Sequence, residues 1–550
     1  MDWQGRKRFT LFDADYGDGS RCAALIAQWR RDPARSHQLH VIALAPGLLP
    51  GMHRIPQQDS AVTLDLVAAP LPDALVQLAA SLDAIRLHHP GDMDVARPLA
   101  RITALGARLD GAGLSDAQVA ALRAQGFVFA AGTQQAVFAS RKPRLATAPV
   151  PEKRAVVIGA GLAGSAACER LCARGWNVTL VERHAAPAME ASGNRAGIFM
   201  PLLSRDDNLP TRLTRAAYLY ALRYWDTLGG IGGAIDGAAC GVLQLARDAD
   251  HAHVQRAIAQ ALRYPQEFAQ WLERADAEAL LGHPAPDGGW LFRQGGWARP
   301  ASVCDAMLAN CGPRLTRVFN SGSVHVTRDG AAWQVVDEAG AVLARAGTVI
   351  FANGPAARAM AQAATLPLSA VRGQVTHIDA AGAPALPLVL CREAYITPPT
   401  DGVCSFGASY DMDADPALRQ SSQDANLANI RDLLQDPGIG IGAPLRGRVG
   451  FRCVAPDRLP LVGHLPDVDA AGGLERLREV PRHPGLHALL GYASRGLIWA
   501  PLAAELLAAQ LDGEPLPLEA NLVDALDPAR FVLRARRSRM QQKPTDGQDF

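Results

Sequence analysis

The stretch RAVVIGAGLAGSAACERLCARGWNVTLVER runs from Arg154 to Arg183 and decides the fold class of the chain. Four apolar residues, 155–158, lead into glycines spaced GxGxxG, as expected for a buried parallel strand that turns into a helix. A second apolar run ends on an acid, Glu182. The motif therefore lies between a strand and a helix, and an acid closes the next strand. This arrangement predicts a dinucleotide-binding α/β unit.

Each part of this motif has a physical task. Gly159 allows the tight turn, Gly161 lets the backbone approach a pyrophosphate, and Gly164 lets the helix pack closely on the strand. The helix N-terminus offers N–H groups and a partial positive charge to phosphates. Glu182 can accept hydrogen bonds from a ribose diol. The acid argues against a nicotinamide cofactor with a 2′-phosphate, but it leaves NAD and FAD open.

Length and composition set the broad class. The chain has 550 residues, of which 49% are hydrophobic and 20% charged, which is typical of a soluble protein with two or more domains. No apolar run is long enough to span a membrane, and the first residues lack a signal-peptide pattern. The net charge of +1 gives no global support for a polyanion partner, which would need a local basic surface.

The nine cysteines include no CxxC pair, so the sequence predicts neither a zinc ribbon nor a redox dithiol, and we predict no metal site. Their odd number and the missing signal peptide favour a reducing compartment, and we expect a cytoplasmic protein.

Further motifs resemble a known superfamily. Three segments follow in the order typical of the D-amino-acid oxidase and glycine oxidase superfamily of FAD enzymes: GGWARPASVCDAM (295–307), VIFANGPAAR (349–358) and LLGYASRGLIWAPLAAELLAAQL (489–511). Four others resemble one branch, the C-terminal oxidoreductase of the bifunctional tRNA 5-methylaminomethyl-2-thiouridine biosynthesis family: ASGNRAGIFMPLLSRDDN (191–208), VRGQVTHI (371–378), FGASYD (406–411) and FRCVAPDRLPLVGHLPD (451–467).

This resemblance implies the fold class and the domains. We expect an α/β chain: a Rossmann-type FAD-binding domain with an inserted α+β substrate domain, preceded by a shortened methyltransferase-like α/β domain. The expected ranges are 1–138 for the methyltransferase-like domain, 139–154 for a linker, 155–527 for the oxidoreductase and 528–550 for a basic, largely disordered tail. Within the oxidoreductase, the FAD-binding parts are about 155–235, 295–370 and 450–515, and the substrate domain about 236–294 and 371–449.

The resemblance also implies the chemistry. The family oxidises a tRNA wobble uridine that carries a carboxymethylaminomethyl arm, which is an N-substituted glycine. Removal of the carboxymethyl group releases glyoxylate and leaves aminomethyluridine. The expected partner is therefore tRNA and the expected cofactor FAD. Some relatives bind FAD through a cysteine, but the matching position here is Gly450, so we predict non-covalent FAD.

Site residues follow from the matched positions. A substrate carboxylate needs a fixed cation, and the planar fork of arginine suits it. Arg452 matches the carboxylate-binding arginine of glycine-oxidase-like enzymes, and Arg495 is the second candidate catalytic residue. His377, His464 and His487 are expected to be structural. The expected cofactor-binding residues are Gly159, Gly161, Gly164, Glu182, Arg183, Ser192, Asn194, Arg195, Gly197, Gly354, Ser494, Gly496 and Leu497.

The N-terminal region departs from the family. Its glycine-rich loop reads Asp15-Tyr16-Gly17-Asp18-Gly19, with two added acids where S-adenosylmethionine must approach the backbone. The acid that would hold the ribose falls at Ala45, and the aspartate of the family's catalytic segment falls at His88. Unpaired donors on a buried ligand are costly, so we expect methyl transfer and S-adenosylmethionine binding to be lost or poor.

Two other functions stay open at this point. One is an FAD oxidase of a free small amino acid such as glycine, sarcosine or a D-amino acid, with the same fold and flavin site. The other is a tRNA-binding flavoprotein without turnover. It is consistent with the altered N-terminal region and with the five arginines between Arg530 and Arg539.

Overall fold

The computed structural model describes residues 2–57, 59–140, 152–473 and 475–541. The chain divides into two compact units. Unit 1 comprises residues 1–151, 222–227 and 505–524, and unit 2 comprises 152–221, 228–504 and 525–550. The division at residue 151 falls within the predicted linker, most of which lies outside the described residues.

Unit 1 is built on a mostly parallel sheet of eight strands. Its first elements are β1 Arg8–Asp13, α1 Ser20–Arg31, β2 Gln38–Leu44, β3 Gly51–Ile55, β4 Val62–Ala68, α2 Leu71–Gln77, β5 Leu82–His88, α3 Ala96–Ile102, β6 Thr103–Ala112, α4 Asp116–Ala124, β7 Phe127–Phe129 and β8 Gln135–Phe138. The strand order is β3-β4-β2-β1-β5-β6-β8-β7, in which β4, β2, β1, β5 and β6 run parallel.

Helices cover both faces of this sheet, so its central strands read as continuous apolar runs. Phe12 and Ile42 belong to one hydrophobic core, whereas their chain neighbours Leu11 and Val41 belong to another. Successive side chains of a strand point to opposite faces, which explains why adjacent residues enter different cores.

A buried ion cluster completes unit 1. Arg54 of β3 donates from Nε and Nη2 to the two carboxylate oxygens of Asp65 at 2.9 and 2.8 Å, and from Nη1 to Glu505 at 2.8 Å. His40 contacts the same Asp65 carboxylate at 2.7 Å. Glu505 belongs to unit 1 although it lies far along the chain, and Arg54 also donates to the carbonyl of Pro515 at 2.7 Å.

The chain from residue 152 onward supplies unit 2 and the two later segments of unit 1. Its strands are β9 Arg154–Ile158, β10 Asn177–Val181, β11 Gly197–Phe199, β12 Gly237–Ala238, β13 Val242–Leu245, β14 Gln270–Leu272, β15 Gly289–Phe292, β16 Gly296–Ala298, β17 Leu315–Val318, β18 Val324–Asp329, β19 Ala332–Asp337, β20 Val342–Ala346, β21 Thr348–Phe351, β22 Ser369–Asp379, β23 Val389–Cys391, β24 Tyr395–Ile396, β25 Val403–Gly407, β26 Arg446–Val454, β27 Leu461–Pro466 and β28 Arg482–Leu490. Its α-helices are α5 Leu162–Cys172, α6 Leu209–Thr227, α7 Ala249–Leu262, α8 Arg274–Leu281, α9 Pro300–Asn310, α10 Gln420–Leu434, α11 Gly496–Asp512, α12 Ala520–Leu526 and α13 Arg530–Gln541. Short 3₁₀ helices are Gly312–Arg314, Gly354–Ala359, Ala361–Ala363, Ala380–Gly382 and Leu477–Glu479.

Two large sheets define unit 2. One has the order β17-β10-β9-β21-β28-β27 and is parallel except for β27. The other has the order β14-β15-β13-β23-β24-β25-β22-β26 and is antiparallel except where β13 meets β23. Two three-stranded sheets, β11-β16-β12 and β18-β19-β20, complete the unit.

The C-terminal segment differs from the predicted disordered tail. Residues 530–541 form helix α13, and Arg530 is buried. Its guanidinium makes a two-pronged pair with Asp457, from Nε at 2.9 Å and from Nη2 at 3.0 Å. Leu533 packs with Ala529 and Val480 in a small core. The arginine-rich composition predicted a solvated tail, but one arginine and one leucine fix the helix to the unit. Residues 542–550 lie outside the described residues.

Candidate active site

A cavity of about 750 Å³ lies within unit 2. On one side it meets the carboxyl ends of four parallel strands: Gly159 follows β9, Glu182 follows β10, Asn353 follows β21 and Gly491 follows β28. Ligands of open parallel sheets bind at this edge. The opposite wall comes from the antiparallel sheet, with Gly373 of β22 and residues 450–453 of β26.

The glycine motif forms a backbone cradle at this edge. Gly159 has a φ of +101°, and a Cβ there would lie 2.8 Å from the carbonyl oxygen of Ala352. A Cβ on Gly164 would lie 1.8 Å from the carbonyl oxygen of Gly159, so helix α5 reaches the strand only because this residue is glycine. Gly161 precedes α5 and provides no side-chain cap, while the Leu162 N–H donates to Ser192 Oγ at 3.2 Å. Gly161, Leu162 and Ala163 line the cavity, so this helix end opens on the space where an anion would bind.

Glu182 is oriented by backbone N–H groups. Its Oε2 accepts from Ala160 N–H at 2.7 Å and its Oε1 from His184 N–H at 2.9 Å. The side chain is buried yet lines the cavity, so its remaining lone pairs face a ligand. These contacts hold the carboxylate beside the cradle, where it can accept hydrogen bonds from a ribose.

The cavity brings together most of the predicted cofactor residues. Those that line it are Gly159, Gly161, Glu182, Arg183, Ser192, Asn194, Gly197, Gly354, Ser494, Gly496 and Leu497. Two predicted residues do not line it. Gly164 packs beneath the cradle, as its close approach to Gly159 shows. Arg195 extends instead toward Asp401, with Nη2 3.4 Å from Oδ2, because that carboxylate attracts its guanidinium.

Arg452 lines the cavity from edge strand β26. Its Nη1 donates to the carbonyl oxygens of Ser409 at 3.1 Å and Arg372 at 3.4 Å. It forms no ion pair with any carboxylate of the described residues. Burial lowers the pKa of Arg452, and nearby Tyr395, Tyr410 and Asp411 oppose that shift. The guanidinium is thus a partly desolvated cation, and a carboxylate ligand would offset the free-energy cost of its desolvation.

A glycine on the neighbouring strand makes room for this guanidinium. Gly373 of β22 lies directly opposite Gly450 of β26. A Cβ on Gly373 would lie 2.1 Å from Nη1 of Arg452. The Arg452 side chain can therefore cross β22 only because residue 373 has no side chain. The orientation of Arg452 is therefore set by the sheet and by two carbonyl groups.

Arg495 also lines the cavity and lies just before helix α11, whereas a third lining arginine, Arg183, pairs with Glu190. Its Nη1 donates to the carbonyl of Met200 at 3.4 Å. Within the described part of the chain, no carboxylate pairs with it. Burial lowers the pKa of Arg495, and Cys391 opposes the shift. Both arginines predicted from the sequence therefore lie on the wall of one cavity.

Sequence reasoning missed several aromatic residues of this wall. Tyr395, Tyr410 and Tyr492 all line the cavity. Burial raises the pKa of Tyr395 to about 12, with Arg452 acting in the opposite direction, so its hydroxyl stays protonated and can donate a hydrogen bond. Tyr410 lies in FGASYD, a segment that had already been singled out, but only the folded sheet places it near Arg452.

The glycine-rich loop of unit 1 has a different character. The ring of Tyr16 lies against Gly19, where a Cβ would come 2.7 Å from the tyrosine oxygen. Tyr16 N–H donates to the carbonyl of Leu44 at 2.8 Å, which fixes the loop against the end of β2. Arg21 pairs with Asp15 at 2.7 Å. No acid follows Leu44, since Ala45 occupies that position. These residues do not fit S-adenosylmethionine.

The described residues hold neither a candidate metal site nor a candidate membrane-spanning helix. They contain no group of three or more His, Cys, Asp or Glu side chains able to hold a metal ion. None of the helices in the described ranges combines the length and the apolar character needed to cross a membrane.

The cavity residues fit FAD. The cradle and the open end of α5 suit a pyrophosphate, Glu182 suits a ribose, and the start of α11 lies on the same wall. The cavity thus joins this cradle to two arginines that pair with no carboxylate of the described residues, Arg452 on the antiparallel sheet and Arg495 just before α11. This combination defines a flavin-dependent oxidoreductase. Residues 154–510 match the family model described as "DAO: FAD dependent oxidoreductase".

Known proteins resemble nearly the whole chain. It is 39% identical over 589 residues to the tRNA 5-methylaminomethyl-2-thiouridine biosynthesis bifunctional protein MnmC of Azoarcus sp. (strain BH72), covering 98% of this chain and 92% of that protein. The protein of the same name from Burkholderia thailandensis is 39% identical over 601 residues, with 97% and 92% covered. The chain belongs to this bifunctional family and, through residues 154–510, to the FAD dependent oxidoreductases.

Solved structures agree on the fold. Glycine oxidase from Geobacillus kaustophilus matches with a TM-score of 0.55 at 19% identity, covering 68% of this chain and 99% of that chain. L-proline dehydrogenase from P. horikoshii matches with a TM-score of 0.56 at 16% identity, covering 70% and 99%. The predicted fold class, family and FAD cofactor are confirmed.

Proposed function

We propose that this chain removes the carboxymethyl group from carboxymethylaminomethyl-(2-thio)uridine at the wobble position of tRNA, with FAD as oxidant. The products are aminomethyluridine and glyoxylate. The names of the relatives, which are tRNA biosynthesis proteins, support tRNA as the substrate. A cytoplasmic location stays a prediction from the sequence.

When bound, FAD supplies an acceptor for a hydride from the carbon between the amine and the carboxylate. The substrate becomes an imine, and addition of water to the carbon–nitrogen double bond releases glyoxylate and the primary amine. Arg452 binds and orients the substrate carboxylate through a two-pronged contact. We assign Arg495 to the same end of the cavity as a second cation. The amine enters uncharged, so no protein base is required for hydride transfer.

One observation carries this proposal: Arg452 lines the cavity without an ion pair to any carboxylate of the described residues. A half-buried guanidinium that the protein leaves unpaired needs an anionic ligand to offset its desolvation. The carboxymethyl group is such an anion, and it is the group that the reaction removes.

The test uses the FAD-loaded full chain and a tRNA that carries the carboxymethylaminomethyl arm. Glyoxylate and aminomethyluridine are quantified by mass spectrometry. Arg452→Met removes charge-assisted hydrogen bonds and is expected to lower kcat/KM about 100-fold. Arg446→Met is the matched control on the same strand, because Arg446 is exposed and pairs with Asp379. Its kcat/KM should stay within about twofold.

Other outcomes would contradict the proposal. Rapid peroxide formation from free glycine or sarcosine, with no reaction on tRNA, would identify a small-amino-acid oxidase. A bound flavin that stays oxidised when mixed anaerobically with the modified tRNA would show that this substrate is wrong.

A further inference from the structure

An exposed tyrosine stands between two arginines at the cavity. Tyr410 lines the cavity, yet 52% of its surface is exposed. The Cζ atom of Arg452 lies 5.7 Å from the centroid of its ring, and that of Arg458 lies 6.0 Å away. Arg452 also lines the cavity, whereas Arg458 does not. Tyr410 therefore marks where the cavity meets the surface.

The turn that carries Arg458 is held in an uncommon backbone conformation. Arg458 has a φ of +58°, which is rare for a residue with a side chain. Its neighbour Asp457 accepts from Arg530 at 2.9 and 3.0 Å and from Arg534 at 2.6 Å. Arg530 also donates to the carbonyl of Leu459 at 3.0 Å. Helix α13 thus holds the turn from both sides of Arg458, and such overdetermined positions are often ligand contacts.

Helix α13 adds positive charge beside this turn. Arg534 is half exposed although it contacts Asp457. Arg536 and Arg537 follow it, and neither forms an ion pair within the described residues. Because no carboxylate of the described residues pairs with these two arginines, they give a local basic surface, although the whole chain is nearly neutral. We name Arg458, Arg534, Arg536 and Arg537 the basic rim.

We propose that Tyr410 stacks on a base of the RNA substrate at the entrance of the cavity, and that the basic rim contacts the neighbouring phosphates. This inference rests on the proposed function. Proteins that read unpaired RNA bases stack them on aromatic rings or on guanidinium planes, and arginine forks bind phosphate oxygens. Tyr410 and its two arginines can stack with a base, and the basic rim can bind phosphate oxygens.

The placement also explains how one cavity takes a large substrate. Only the modified arm needs to reach Arg452, because that guanidinium binds its terminal carboxylate. The base then lies at the exposed ring of Tyr410, 5.7 Å from the same guanidinium. The rest of the RNA stays outside, where the phosphates meet the basic rim.

The test measures binding of a synthetic anticodon stem-loop that carries the modified wobble uridine, by fluorescence anisotropy with the FAD-loaded chain. Tyr410→Ala should raise the Kd about tenfold, because base stacking on an aromatic side chain is lost. Tyr410→Phe keeps the ring and should stay within about twofold of wild type. In turnover, Tyr410→Ala should raise KM more than it lowers kcat, because the arm and Arg452 are unchanged.

The basic rim is tested by salt dependence. A variant with Arg458→Gln, Arg534→Gln, Arg536→Gln and Arg537→Gln should weaken binding of modified and unmodified stem-loops equally, with a shallower dependence on salt between about 50 and 200 mM. Arg274→Gln removes an exposed arginine that is distant in sequence from the basic rim and pairs with Glu278, and it should leave both quantities unchanged. Flavin absorbance and thermal melting confirm that each variant is folded.

Three failures are distinguishable. If the wild type neither binds nor oxidises the modified stem-loop, the proposed function is wrong and this inference falls with it. If the wild type oxidises it and Tyr410→Ala binds as tightly as wild type, only the stacking role is wrong. An unchanged salt dependence in the quadruple variant would exclude the basic rim.

Discussion

At the scale of single residues, the site depends on side chains that are absent as much as on those present. Gly164 brings helix α5 onto the cradle, and Gly373 lets Arg452 cross its sheet. In both places another group occupies the space of a Cβ. The sequence predicted the first through its GxGxxG spacing. It offered no signal for the second, because only strand register places Gly373 under Arg452.

Gly164→Ala is expected to yield protein with little or no bound FAD. The new methyl group would lie 1.8 Å from the carbonyl oxygen of Gly159, so α5 must move away from the strand and open the cradle. Forcing an extra carbon into such a site costs about 1–3 kcal/mol. The measurement is the ratio of flavin to protein absorbance after purification. Gly347→Ala is the control, since a Cβ there meets nothing within 4 Å. Equal flavin content in both variants would contradict the role of Gly164.

His377 should make stability fall in mild acid. Burial and the nearby charges of Arg195, Arg446 and Arg448 lower its pKa to about 4, so the folded chain keeps it neutral. An unfolded histidine titrates near 6.5, and the unfolded state therefore binds more protons between about pH 6.5 and 4. The free energy of unfolding should fall by about 3 kcal/mol as the pH decreases through that window. Above about pH 6.5 this destabilising effect is absent, because neither state takes up the proton.

The check is the melting temperature against pH for wild type, His377→Gln and His325→Gln. Replacing His377 should flatten the curve between pH 6.5 and 4, whereas the exposed His325 should leave it unchanged. Parallel curves for all three proteins would show that His377 does not govern this loss.

At the scale of elements, buried charge ties strands to segments that are distant in sequence. Arg54 of β3 joins Asp65 of β4 to Glu505 of α11, and all three side chains are almost fully buried. Burial opposes ionisation of Asp65, but the charge of Arg54 and its hydrogen bonds hold the pKa of Asp65 below its usual value. The pattern of apolar runs predicted the strands, but it gave no reason to pair residues 54 and 505.

Arg54→Met is expected to lower the free energy of unfolding by about 3–5 kcal/mol, because it leaves the buried carboxylate of Asp65 without its main cation. Denaturant titration of the full chain measures the change. Arg30→Met removes an exposed arginine that lies 3.5 Å from Asp59 and should cost less than about 1 kcal/mol. A loss of similar size in both variants would mean that the buried cluster contributes no more than a surface pair.

The C-terminal helix shows where composition misleads. Five arginines in ten residues predict a solvated segment. However, Phe531 and Leu533 lie between Arg530 and Arg534, and Arg530 pairs with a carboxylate 73 residues away in sequence. Local composition contains no information about such a partner. The dinucleotide unit was predictable because its turn, helix and acid are adjacent in sequence. The contact between Tyr410 and Arg458 was not predictable, since the segments that follow β25 and β26 are far apart in sequence and meet only in the fold.

At the scale of the whole molecule, the two units differ in how well their glycine-rich loops fit a cofactor. Unit 2 holds a cavity that fits its cofactor, whereas the loop of unit 1 is filled by Tyr16 and lacks an acid after β2. We expect the full chain to show no saturable binding of S-adenosylmethionine below about 1 mM by isothermal titration calorimetry. FAD added to the same sample is the positive control. Micromolar binding of S-adenosylmethionine would contradict this expectation.

Residues 505–524 belong to unit 1, and they make two further contacts there: Arg8 donates to the carbonyl of Gly513 at 2.8 Å, and Leu516 N–H to the carbonyl of Ala79 at 3.0 Å. A ribosome must therefore synthesise all of residues 152–504 before residues 1–151 gain these contacts. During that time, on the order of tens of seconds, the N-terminal segment carries the Arg54 guanidinium without Glu505. Expression of residues 1–151 alone should give a product that aggregates or is degraded.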